Sequence, residues 1–111
     1  MTRFTEVLER LQATIDARRG ADPSTSWTAK LLADPALAAK KVGEEALEVA
    51  LAAVQHDPEA LAAESADLIY HWLVLLAGAG VSLSDVAEKL EAREGRSGLE
   101  EKAARKGLEP N

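Results

Sequence analysis

The sequence predicts an all-α protein, a bundle of four to five helices. Composition is the first reason: alanine and leucine supply 38 of 111 residues while aromatics number four, a bias toward helix formers and away from the β-branched and aromatic residues of sheets. Patterning is the second. No stretch alternates apolar and polar residues for the length of a strand, and no Asn-Gly or Asp-Gly pair marks a hairpin. The third is punctuation, since Asp34-Pro35 and Asp57-Pro58 each open a run rich in Ala and Leu.

The first helix is expected from about Thr2 to Arg19. Phe4, Val7, Leu8, Leu11 and Ile15 recur on one face, the other face is charged, and Gly20 supplies the left-handed residue that ends it. Residues 21–25 have turn chemistry, and Trp27 to Ala33 follows as a short helix or structured loop begun by Ser24 or Ser26. At the two Asp-Pro entries the aspartate caps the first turn and proline sits where no amide hydrogen is needed, so helices are expected over about 35 to 55 and 58 to 78. The shared entry is a capping device and not a duplication, because the residues downstream do not align. A further long helix follows Ser82 or Ser84, passes Val86 and Leu90 and stops near Gly95. Residues 1–95 are therefore read as the one domain and 96–111 as a charged tail, a short frayed helix or partly disordered.

The net charge of −6 is unevenly distributed. Residues 42–88 hold nine acids and no Lys or Arg, which leaves the flanks at +3. A net-negative chain is poorly suited to coating a duplex, because phosphate neutralisation needs a basic face, so no nucleic-acid partner is expected. The absence of cysteine removes disulfides, thiolate metal sites and cysteine nucleophiles. Met1 to Arg19 lacks the continuous apolar segment of a signal peptide, and the longest apolar run, Trp72 to Val81, falls short of the ~20 residues a bilayer requires. A soluble, cytoplasmic protein with no membrane partner is expected.

The acids are placed where apolar residues would be anticipated. Glu45 and Glu48, and again Glu64 and Asp67, are spaced i, i+3, so each pair projects from one helix face. Glu64 and Asp67 share their side with Leu68 and Leu75, and the runs around both pairs are apolar nearly all round, as in helices buried by their surroundings. Buried carboxylates need cations, and between 42 and 88 the chain offers none of its own. Lys40 and Lys41, residues of other helices, or a divalent metal remain. Four oxygen ligands on two facing helices suit Mg²⁺ or Mn²⁺. Taken singly, each Glu reads as an ordinary solvated helix residue; the two facing pairs favour the metal. A Glu-x-x-His on each of two helices, as a di-iron bundle requires, is absent. His71 is therefore expected to be a core or hydrogen-bonding residue, and His56 a solvated residue at a helix C-terminus.

The segments Lys40-Lys41-Val42-Gly43-Glu44-Glu45-Ala46-Leu47-Glu48 and Glu64-Ser65-Ala66-Asp67-Leu68-Ile69-Tyr70-His71, with Ser26-Trp27-Thr28-Ala29-Lys30-Leu31-Leu32 before them and Arg93-Glu94-Gly95 after, resemble the phosphoribosyl-ATP pyrophosphatase family of histidine biosynthesis. The resemblance extends over residues 4 to about 102, nearly the whole chain. It implies the all-α nucleoside triphosphate pyrophosphohydrolase superfamily, whose pattern Glu-Glu-x-x-Glu then Glu-x-x-Asp falls here on Glu44, Glu45, Glu48, Glu64 and Asp67. The implied reaction splits the α–β phosphoanhydride of phosphoribosyl-ATP into phosphoribosyl-AMP and pyrophosphate.

On that reading Glu45, Glu48, Glu64 and Asp67 are the metal ligands, with Mg²⁺ as cofactor and Mn²⁺ as its alternative. Glu44 at the edge, or Glu45, orients or activates the attacking water. Lys30, Lys40 and Lys41 are the phosphate candidates, Lys41 ahead of Lys40 because it lies one turn before Glu45 on the same side; Arg93 and Arg96 rank below them. Trp27 either stacks on adenine or plugs the core. Helices this apolar exceed what one chain can cover, so a homodimer is expected, as the superfamily resemblance also implies. Two other readings stay open: a pyrophosphohydrolase acting on a free nucleotide, and a helical interaction module whose acids are plain surface.

Overall fold

The computed structural model describes residues 2–95; the tail 96–111, Arg96 included, lies outside the described residues. Five helices follow in order: α1 Thr2–Ala17, α2 Trp27–Ala33, α3 Pro35–Val54, α4 Pro58–Ala79 and α5 Leu83–Glu91. The described residues contain no strand, so the all-α prediction is met. One compact unit extends to Gly80 and a second begins at Val81.

Local chemistry sets the ends. Ser26, and not Ser24, caps α2 by accepting from the Ala29 amide at 3.1 Å. Asp34 and Asp57 cap α3 and α4, accepting from Leu37 and Ala60 at 3.1 and 3.0 Å, with proline in the first turn of each. Gly20 and Gly80 adopt φ of +79° and +73°, the left-handed geometry that glycine enters without steric cost, and Gly80 closes α4.

Between α3 and α4 no glycine is present. His56 takes the left-handed position instead, at φ 58°. Its amide donates to the Ala53 carbonyl at 3.1 Å and that of Asp57 to Ala52 at 3.2 Å, the paired closure of a helix C-terminus. Asp57 thus closes α3 with its main chain and opens α4 with its carboxylate. A turn of three residues then forces the two helices antiparallel.

In the first unit α4 is the central element, packing against α3, α2 and α1, while α2 also packs on α3. The core is small: Ile15, Ala29, Leu31, Ala38, Ala52, Leu73 and Val74 are buried. Arg19 ties α1 to the end of α4, donating to the Ala77 carbonyl at 2.7 Å. By length and composition α4 meets the requirement for a membrane span, which the count of its longest apolar run did not anticipate. It packs instead on three neighbours and carries two acids mid-length.

Two expectations are corrected. The apolar run 42–54 is not buried within the chain: Leu47, Leu51 and Val54 are 59%, 41% and 70% exposed, because α3 meets α4 and α2 on one side and nothing among the described residues covers the other. On α1, Phe4 and Val7 likewise stay exposed and only Ile15 is buried. The second correction concerns the helix after Ser82. Ser82 is its cap, completing a reciprocal box with Asp85. The helix nevertheless ends at Glu91, short of Gly95, because the amides of Arg93 and Glu94 turn to carbonyls three residues back.

Leu31 is 1% exposed and lines a cavity of ≈60 Å³ with Ala38 and Val74, which truncation would enlarge. Leu31→Ala is expected to cost about 2–5 kcal/mol, read from the shift in the chemical-denaturation midpoint.

Candidate metal centre and substrate recess

The turn at 55–57 sets the register of the acids. Counted from His56, Glu48 and Glu64 lie at equal distances along the chain, as do Glu45 and Asp67, so antiparallel helices of the same rise bring each pair to the same height. The structure places carboxylate oxygens of Glu45, Glu64 and Asp67 within 4.8 Å of one another. Glu48 stands outside this group and is exposed, although its charge reaches Glu64.

Burial is less than expected. Glu45 and Glu64 are half-buried, whereas Glu44, Glu48 and Asp67 are exposed. What distinguishes the group is uncompensated charge. Partial burial first, then the charges of Glu45, Glu48 and Asp67 and a carboxyl–carboxyl hydrogen bond with Glu45, hold the Glu64 carboxyl above its ordinary value. Among the described residues no Lys or Arg pairs with Glu48, Glu64 or Asp67. Three clustered hard oxygen donors with excess negative charge fit a divalent cation such as Mg²⁺ or Mn²⁺.

Glu44 faces the lysines. Its carboxylate accepts from Lys41 Nζ at 3.1 Å and lies 3.9 Å from Lys40, while Lys41 is also 3.9 Å from Glu45. The hydrogen bond and charge of Glu44 raise the Lys41 pKa, keeping the ammonium protonated beside the acidic group. Lys40 is much the more exposed of the two, at 70% against 25%, consistent with the order expected from helical angle. Arg93 lies in the exposed turn after α5, in the second unit.

Trp27 and Lys30 border a separate recess of ≈540 Å³, completed by Pro23, Ser24, Thr25 and Ser26. Its loop wall is an Asp-anchored turn. Asp22 Oδ1 accepts from the Ser24 amide at 2.9 Å and from its hydroxyl at 2.8 Å, and these bonds lower the Asp22 pKa. Trp27 is 45% exposed, so it does not plug the core, and the Lys30 ammonium stands 5.8 Å from its ring centroid.

His71 is buried and hydrogen-bonded, as anticipated: Nδ1 lies 2.8 Å from the Asp67 main-chain carbonyl, and Nε2 accepts from Trp27 Nε1 at 3.5 Å. The Thr28 hydroxyl is hydrogen-bonded to that of Tyr70. Sequence reasoning did not find this double link between α2 and α4, since partners more than 40 positions apart leave no local signal.

Because Glu64 holds its proton more tightly in the folded chain, its ionisation opposes folding, and metal-free stability falls as pH rises from the ordinary 4.5 through the raised value. Metal-free Glu64→Gln is expected to melt above the parent at neutral pH, the difference vanishing below 4.5. Mg²⁺ should raise the melting temperature of the parent and not that of the variant. Thermal scans with chelator or with Mg²⁺ check both.

Residues 8–94 match the family described as Phosphoribosyl-ATP pyrophosphohydrolase. A phosphoribosyl-ATP pyrophosphatase of Caulobacter vibrioides (strain NA1000 / CB15N) is 70% identical over 103 residues, covering 93% of this chain and 96% of that protein. A relative of the same name from Caulobacter sp. (strain K31) is 68% identical, covering 95% and 98%. One from Cereibacter sphaeroides (strain ATCC 17029 / ATH 2.4.9) is 58% identical, covering 89% and 97%. A match over more than half the chain, together with identities this high over nearly whole relatives, shows that the chain belongs to the phosphoribosyl-ATP pyrophosphohydrolase family.

Proposed function

We propose that this chain hydrolyses the α–β phosphoanhydride of phosphoribosyl-ATP to phosphoribosyl-AMP and pyrophosphate, as a cytoplasmic, Mg²⁺-dependent enzyme of histidine biosynthesis. The observation that carries the reading is the convergence of Glu45, Glu64 and Asp67 without a basic partner for Glu64 or Asp67, in a chain whose relatives bear the name of this activity.

Water adds across the anhydride: its oxygen bonds to phosphorus as the bond to the departing pyrophosphate breaks, and one of its protons needs an acceptor. Glu44, or Glu45, takes that role in this reading; Glu44 lies 3.1 Å and Glu45 3.9 Å from Lys41. Glu45, Glu64 and Asp67 would hold the divalent cation, with Glu48, whose charge reaches Glu64, as the fourth ligand in this reading. When bound, the cation neutralises phosphate charge and polarises the anhydride. Lys41, protonated beside Glu44, offers its ammonium to phosphate oxygens, with Lys40 and Lys30 as further cationic contacts. Trp27 presents an exposed ring face to adenine.

A homodimer belongs to the same reading. Leu47, Leu51 and Val54 lie at i, i+4 and i+7 on α3, all exposed, an apolar stripe that a second copy covers most simply through a two-fold contact.

Glu48→Gln and Asp67→Asn should keep the helical circular dichroism and lose Mg²⁺-dependent pyrophosphate release by more than the ~100-fold typical of disturbing a ligand's own hydrogen-bond partner. Near-normal turnover in both would remove the metal-site assignment, and faster release from a free nucleoside triphosphate would reassign the substrate. Light scattering should give twice 11.8 kDa at micromolar concentration, with Leu47→Glu/Leu51→Glu shifting the chain to monomer.

A further inference from the structure

We propose that His71 is a positioning residue for recognition of the substrate's base: it fixes the indole of Trp27 as a rigid wall of the recess, and so governs how tightly a purine-type ring is held there. The inference rests on the reading of Trp27 as the base-stacking residue and adds what orients it. His71 is 8% exposed and is the buried polar residue of the described core. Its Nδ1 lies 2.8 Å from the Asp67 carbonyl oxygen and its Nε2 lies 3.5 Å from Trp27 Nε1. A carbonyl only accepts and an indole N–H only donates. Nδ1 therefore carries the proton and Nε2 the lone pair, and the two contacts admit one neutral tautomer.

The bond to Asp67 stays within α4, spanning one helical turn, so it anchors the ring and leaves Nε2 directed at α2. The Tyr70 ring meets the imidazole edge-on, at 4.9 Å and 81°, and the Tyr70 hydroxyl is in turn bonded to Thr28. Two successive residues at the start of α2 are thereby paired with two successive residues of α4. A 45% exposed indole without such a tether samples several rotamers, and ordering it on binding costs affinity that a pre-set ring does not lose. The effect falls on substrate binding and not on bond breaking, because His71 touches the ring and no reacting atom.

The test uses the whole chain with Trp72→Phe, which leaves Trp27 as the sole tryptophan. His71→Leu removes the acceptor, whereas His71→Gln retains a carboxamide oxygen able to accept from Nε1. His71→Leu should raise KM for phosphoribosyl-ATP roughly five- to tenfold with kcat changed by less than about twofold, as for one lost hydrogen bond acting on binding. Trp27 emission should lose anisotropy in the same variant, and His71→Gln should restore both readouts. If His71→Leu loses its helical circular dichroism, His71→Asn, too short to reach Trp27, replaces it. In a Trp27→Phe chain, which has no N–H to donate, His71→Leu should leave KM unchanged. An unaltered KM in His71→Leu, a loss confined to kcat, or unchanged Trp27 anisotropy overturns the proposal. Absence of phosphoribosyl-ATP hydrolysis by the unaltered chain would instead overturn the function above, and the anisotropy with its rescue by His71→Gln then decides this inference alone.

Discussion

Like charges forced together are the constraint on which this structure depends. The three-residue turn at 55–57 makes α3 and α4 antiparallel, and equal spacing on either side of it carries Glu45 to the level of Asp67 and Glu48 to that of Glu64. Folding therefore pushes carboxylates together whether or not a cation is at hand. Partial burial first, and then that crowding, raise the proton affinity of Glu64. A fold that stores repulsion at one point is poised to bind positive charge there, and binding energy gained from a cation offsets what the metal-free chain gives up.

Asp57 bears more of this arrangement than its exposed position suggests. Its main-chain amide closes α3 and its carboxylate opens α4, so a single residue sets both the sharpness of the turn and the start of the helical count. His56, in the left-handed conformation that usually selects glycine, accepts local strain to make the turn possible. From that turn outward the rest follows: α4 presents Leu73 and Val74 to the core, the acids to α3, and Tyr70 and His71 to the start of α2.

The chain's surface divides by chemistry. On one side of α3 the acids and Lys41 form a charged assembly in which each ammonium is already engaged with Glu44 or Glu45. Along the same helix Leu47, Leu51 and Val54 remain uncovered. One face of this helix is spent on α4 and another is left apolar and uncovered among the described residues. The recess at Trp27 and Lys30 is built differently, on an Asp-anchored turn and a ring hydrogen-bonded to His71.

By itself the sequence determined the helices, their caps and the acids. Ser, Asp and Pro act within one turn of where they stand, so Asp34 and Asp57 could be assigned their capping roles, and Ser82 named as one of two cap candidates, without knowledge of any distant residue. The i, i+3 spacing of the carboxylates is equally local, and so was the expectation that they share a face. Tertiary structure decided what pairs at long range. It brought Glu45, Glu64 and Asp67 together, left Glu48 at the margin and gave Glu44 to the lysines. It also exposed the 42–54 run that local apolarity had marked for burial, and tied Trp27 to His71. Composition records how apolar a helix is; only packing determines how many of its faces meet another, because burial is a property of neighbours that lie far away in the chain.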